Sequence, residues 1–220
     1  MKKFVIWLCL LIITILFFYT CKLPQFENES ENIELNESYV EEVTELFIKE
    51  NNSEKYIFNT NEEKYLTNKG YTIWTTTSVN TTKSFENIEW FVQKESGNED
   101  AGFGLVFCEQ DIEDKKYMLC VMINTQRQYI IGEVKDGNFI TLIDWKSSPY
   151  LNKGFGIKNK INVSFNEEKK YFEIKFNDVY ITEFKSNENI KFENSKRGFV
   201  VVISNAENFP QESVKVIFEQ

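Results

Sequence analysis

The sequence predicts an all-β domain built as an antiparallel β-sandwich, and three observations carry that reading. β-branched and aromatic residues alternate with polar ones in many short runs. Turn-forming residues separate those runs at regular spacing. The 220 residues are 42% hydrophobic and 15% aromatic with only 9 glycines, enough apolar mass for one core and too much for a disordered chain.

The strands can be justified in order. Tyr71–Thr77 is a β-branched run. In Glu86–Gln93, Ile88, Trp90 and Val92 fall on one face, and in Gly102–Cys108 Phe103, Leu105 and Phe107 do the same. Further strands are expected at Tyr117–Asn124, Gln128–Val134, Asn138–Asp144, Lys160–Phe165, Tyr171–Phe176, Val179–Phe184, Phe199–Ser204 and Val214–Phe218. Asp136-Gly137 is a two-residue hairpin signal, because glycine accepts the positive φ that a primed turn requires. Asn177-Asp178 occupies an equivalent place, and Glu167–Lys170 reads as a solvated tip. Only Tyr39–Glu50 has helical character, and it is expected to lead irregularly, or through a short helix, into a strand near Phe47.

Ahead of this domain stands a leader. Met1-Lys2-Lys3 precedes the uncharged run Phe4–Thr20, which ends at Cys21. A basic start before an apolar stretch is the pattern of a secretory signal. An apolar stretch closed by a cysteine resembles a bacterial lipoprotein signal, which implies lipidation at Cys21. The preceding Phe18-Tyr19-Thr20 departs from the usual Leu-small-small box. The division expected is residues 1–20 as lipoprotein signal peptide, 21–38 as a flexible acidic tether, and 39–220 as the sandwich. The alternative is an uncleaved anchor: 17 helical residues reach about 25 Å, somewhat short of the ~30 Å hydrocarbon core. Either way the membrane is a partner, and the domain lies outside the cytoplasmic membrane, lipid-anchored to the cell envelope on the first reading.

Composition removes much chemistry. There is no histidine, so Ser-His-Asp and Cys-His catalysis and histidine zinc sites are excluded. The net charge of −9, with no basic cluster, disfavours nucleic acid.

From Gly102 onward the order of motifs resembles the concanavalin-A-like, laminin-G-like jelly rolls, and most closely the 3-keto-disaccharide hydrolase domain family. The residues that carry the resemblance are GFGLVF (Gly102–Phe107), YMLCVMI (Tyr117–Ile123), RQYIIGEVKDGNFITLIDW (Arg127–Trp145), NKINVSF (Asn159–Phe165) and YFEIKFND (Tyr171–Asp178), followed by GFVVVIS and VKVIFE. The resemblance implies a concanavalin-A-like antiparallel β-sandwich (jelly roll), a fold that hosts lectins, glycosidases and adhesion modules alike.

On that fold, Glu109-Gln110-Asp111-Ile112-Glu113 spells the E-x-D-x-E of laminarinase-like glycosidases, which needs its carboxylates on one strand face. Here the run continues Asp114-Lys115-Lys116, so a charged hairpin tip without catalytic residues is expected. Cys108 and Cys120 fall on consecutive strands with an offset of some three positions, about 10 Å, beyond disulfide reach unless an asymmetric turn restores the match; two buried thiols are expected, with a disulfide as the alternative. Trp74, Trp145 and Tyr150 are the candidate ligand-binding aromatics, while Trp90 follows the core alternation. No calcium-loop spacing is present, and neither metal nor other cofactor is expected. The function expected is a non-catalytic module binding glycan or protein. The alternatives are a glycoside-cleaving enzyme of the 3-keto-disaccharide hydrolase type and a structural or antigenic envelope protein. What separates them is whether the open sheet face is aromatic and polar or closed and apolar.

Overall fold

The computed structural model describes residues 39–220 except 52, 61–64, 66–69, 78–86, 187–194 and 205–212. The leader, Cys21 and the tether lie outside the described residues. The strands are β1 (Tyr39–Glu42), β2 (Phe47–Lys49), β3 (Lys55–Thr60), β4 (Tyr71–Thr77), β5 (Asn87–Ser96), β6 (Phe103–Ile112), β7 (Lys115–Ile123), β8 (Gln128–Lys135), β9 (Asn138–Ser147), β10 (Asn159–Asn166), β11 (Tyr171–Phe176), β12 (Val179–Phe184), β13 (Lys196–Ile203) and β14 (Val214–Glu219). The described helical structure includes one 3-10 turn, Thr44–Leu46. The expected strands are all present, several of them longer than the sequence suggested.

The strands form two seven-stranded sheets. The first runs β1-β4-β13-β6-β7-β8-β9 and the second β12-β11-β10-β5-β14-β3-β2. Pairing is antiparallel apart from β1 on β4. Alternation explains the layers. Phe103, Leu105 and Phe107 of β6 point inward with Leu119, Val121 and Ile123 of β7, and meet Ile88, Trp90, Val92, Ile161 and Phe172 from the second sheet in one core. Phe199 of β13 packs edge-on to Trp90 at 4.8 Å and stacks on Phe218 at 4.3 Å. Each such burial stabilises the fold by roughly 1.5–3 kcal/mol.

The hairpins follow from their turn residues. Asp136-Gly137 and Asn177-Asp178 both carry positive φ at both positions, as a type I′ turn requires. Glu113-Asp114 does the same, so the charged hairpin tip falls there, and Glu109–Ile112 of the E-x-D-x-E segment belong to β6 rather than to the tip. The region Tyr39–Glu50 resolves into β1, the 3-10 turn and β2, with the strand beginning at Phe47 as expected. β1 and β3 are strands the sequence reading did not anticipate.

A bulge reshapes β6. Its register against β7 shifts between Phe107 and Gln110, and Cys108 there adopts φ 59°. Cys108 therefore turns into the main core with Phe107, whereas Cys120, opposite Val106, belongs to a cluster on the other face of the sheet. Both thiols are free and buried. They stay apart because they sit on opposite faces and because Cys120 pairs with Val106, two positions before Cys108, an offset in the expected direction though shorter than the three positions read from sequence.

Candidate functional site

The outer face of the first sheet is the surface on which the alternatives diverge. One cross-strand row there reads Trp74, Val200, Gly104, Met122 and Ile130. The next reads Thr76, Gly198, Val106, Cys120, Gly132 and Thr141. Trp74, Val106, Met118, Cys120, Met122 and Ile130 join a second buried apolar cluster on this face. Its glycines are close-packed: a Cβ on Gly104 would lie 2.1 Å from the Val121 carbonyl oxygen, and one on Gly198 1.9 Å from that of Thr75. The centre of the face is closed and apolar, the outcome that counts against a glycan seated on the sheet face itself, and the polar groups stand at its ends.

At one end, the bulge aims Glu109 outward, where it is only 5% exposed. Its carboxylate accepts hydrogen bonds from Thr76 Oγ1, from Lys116 Nζ at 3.1 Å and from Lys196 Nζ at 3.5 Å. Lys116 also pairs with Glu42 at 3.1 Å and lies 4.8 Å over the Trp74 ring. Burial would raise the Glu109 pKa, but the Thr76 hydrogen bond and the two ammonium groups outweigh it and hold the carboxyl below its usual value. This carboxylate is ionised and committed to partners within its own sheet. Asp111 follows two positions on, opposite Lys116, but Glu113 sits in the turn with φ 52°. The three acids of E-x-D-x-E are therefore not presented together on one strand face. A retaining glycosidase instead needs one acid free to attack and another protonated about 5–5.5 Å away.

At the other end, the structure displays aromatic residues. Trp145 on β9 is 37% exposed, and its ring edge passes beside Gly102 and Met122, 3.3 Å from where a Gly102 Cβ would stand. Tyr150, in the loop after β9, is 50% exposed; its carbonyl accepts from Asn177 Nδ2 at 2.7 Å and its amide donates to Ser148 Oγ at 3.3 Å. Phe155 in the same loop is also exposed. It lies between Gly154 and Gly156, both at positive φ. Sequence reasoning missed Phe155, although an aromatic flanked by glycines was the available signal.

This loop is tied down by backbone hydrogen bonds: Ser148 N to Arg127 O at 2.8 Å, Gly154 N to Thr125 O at 2.9 Å and Gly156 N to Lys94 O at 2.8 Å. The Asn159 side chain brackets the Asn152 backbone, its Oδ1 accepting from Asn152 N at 2.7 Å and its Nδ2 donating to Asn152 O at 3.0 Å. Trp145 and Tyr150 thus share one end of the sandwich. Trp74, by contrast, is 6% exposed and lies on β4, five strands from β9 in the sheet order. The structure does not bring it to the other two.

Among the described residues, no three His, Cys, Asp or Glu side chains group as metal ligands. Among the same residues, no helix is long and apolar enough to cross a membrane.

The sequence matches no protein-family model and no curated protein. Solved structures do match. A glycoside hydrolase family 16 endo-glucanase from Bacteroides ovatus aligns at a TM-score of 0.58 with 10% identity, over 83% of this chain and 87% of that one. A family 16 enzyme of the mixed-linkage glucan locus of the same organism, with product bound, aligns at 0.57 with 10% identity over the same shares. The carbohydrate-binding module CBM66 from Bacillus subtilis aligns at 0.44 with 9% identity, over 79% of this chain and 88% of that one. At such identities the likeness is one of fold: this chain is a concanavalin-A-like β-sandwich (jelly roll), as those glucanases are.

Proposed function

We propose that the chain is a non-catalytic glycan-binding module, held outside the cytoplasmic membrane by a lipid on Cys21. The observation that carries the binding reading is the display of Trp145, Tyr150 and Phe155 at one sandwich end, on a loop fixed by hydrogen bonds to its neighbours. Aromatic faces on a preorganised backbone suit the apolar faces of pyranose rings, since little conformational freedom is lost on binding. Asp144, Lys146 and Asn152 are exposed in the same stretch of chain and offer polar groups for sugar hydroxyls. The fold shared with endo-glucanases supports a polysaccharide as the ligand class. The leader supports export, and its cysteine supports lipid anchoring.

Cleavage of the 3-keto-disaccharide hydrolase type is the second reading, and it would rest on Glu109 and Asp111. The ion pairs that engage Glu109 favour binding over cleavage.

A glycan array probed with the full-length chain in detergent tests the proposal. The parent protein should bind at least one glycan class, and Trp145→Ala and Tyr150→Ala should each weaken binding about 10-fold, the equivalent of ~1.4 kcal/mol. Both variants should melt within a few degrees of the parent. Binding unaffected by either substitution, or no glycan bound at all, refutes the assignment.

A further inference from the structure

Lys94 lies on the inward face of β5, next along that face from Val92, yet it is 1% exposed. A buried ammonium is strongly disfavoured unless its protons are met. Here Nζ donates to the carbonyl of Asn98 at 2.6 Å and to that of Ala101 at 2.9 Å, and it lies 5.6 Å from the centre of the Phe103 ring. The same residue's backbone carbonyl accepts from Gly156 N at 2.8 Å.

The loop that Lys94 gathers continues the chain of contacts. Glu99 O accepts from Thr125 N at 3.1 Å and from Thr125 Oγ1 at 2.9 Å, and Thr125 O accepts from Gly154 N at 2.9 Å. One residue therefore fastens both sides of Gly154-Phe155-Gly156, directly through its carbonyl and indirectly through its side chain. The two carbonyl oxygens give the Lys94 amino group acceptors whether it carries three protons or two.

We infer that Lys94 is a positioning residue for the aromatic glycan site: its amino group clamps the loop through Asn98 and Ala101, and that loop fixes the turn displaying Phe155. The inference rests on the binding reading above.

The clamp has a calculable pH response. Burial pulls the Lys94 pKa down to about 7, with the Asp100 carboxylate opposing. Of the other groups packed on it, β6 presents the Phe103 ring and the 154–156 turn a backbone amide, neither of which titrates. Opening the loop returns Lys94 to water and to a value near 10.5, so the opened form binds the proton more tightly. Opening is therefore easiest where Lys94 is charged in both forms, below pH 7. It becomes harder as pH rises from 7 towards 10.5. Between pH 6 and pH 8 the opening equilibrium should fall about 10-fold.

Amide hydrogen exchange on the full-length chain in detergent, corrected for intrinsic rates, reads this directly. Protection at Thr125, Gly154 and Gly156 should rise about 10-fold from pH 6 to pH 8 in the parent and stay flat in Lys94→Met. Affinity for the array-identified glycan should follow the same profile. Protection at these three amides that is as high, at both pH values, in a cooperatively melting Lys94→Met (or in Lys94→Gln, should Met not fold) as in the parent overturns the inference. Protection that rises while glycan affinity stays constant also overturns it, because the clamp would then not position the site. Rising protection with no glycan bound at any pH removes the binding reading instead and leaves the clamp supported.

Discussion

Glu109 shows how one residue's surroundings decide between chemistry and architecture. Its carboxylate joins β4, β6, β7 and β13 through Thr76, Lys116 and Lys196. Because its folded pKa is lowered, the stabilisation is present above the unfolded value and is lost as pH falls through the folded one. Glu109→Gln should lower stability at pH 7 by about 1–2 kcal/mol. It should also flatten the loss of melting temperature on acidification, which thermal melts at pH 7 and in the acid range would measure. The two core thiols make a separate prediction. Burial pushes Cys120 up to about 12 and Cys108 higher still, so both should resist alkylation in the native protein and react once it is denatured. Peptide mass mapping would check this, and a Cys108–Cys120 disulfide in that map would contradict the register. The sequence showed these two cysteines as separate thiols but not that they face opposite sides of the sheet, because φ 59° at Cys108 inserts a residue and reverses the alternation that follows. The same bulge turned Glu109 from an expected surface tip residue into a nearly buried one.

At the level of strands, the first sheet holds together by close backbone approach as much as by side chains. Gly104 and Gly198 stand where a Cβ would meet a neighbouring strand's carbonyl oxygen, and that backbone cannot yield without disturbing the ladder. Alanine at either position should cost roughly 1–3 kcal/mol and lower the melting temperature by several degrees, readable by calorimetry. The sheet edges are handled in two ways. β1 and β2 are only 4 and 3 residues long, while the longer β9 and β12 are interrupted by register shifts that spoil them as templates. The interior strands and two of the I′ hairpins were legible because alternation and turn chemistry are local. β1 and β3 were not: one lies beside an acidic stretch, and the other ends in Asn and Thr without a clean apolar alternation. Their pairing partners, β4 and β14, supply what their own residues do not announce.

For the whole molecule, fold was far more legible than site. Two stacked sheets follow from a pattern repeated along the chain, whereas the aromatic end depends on which loops meet. Trp145 could be picked out as a strand-ending aromatic, but its company with Tyr150 and Phe155 arises from hydrogen bonds among residues 94–101, 124–127 and 148–159. Trp74 looked equivalent in sequence and is instead buried on the closed face. The anchoring proposal belongs to this scale too. Cys21→Ser should abolish palmitate labelling and release the exported protein from the membrane, whereas membrane association unchanged by the substitution would favour the uncleaved anchor. The central claim, that the Trp145 end receives a glycan, is tested most directly by titrating the full-length chain with the array-identified oligosaccharide and following tryptophan emission. A saturable change that disappears in Trp145→Phe, with melting temperature retained, is the result predicted; an unchanged titration in that variant would contradict the account.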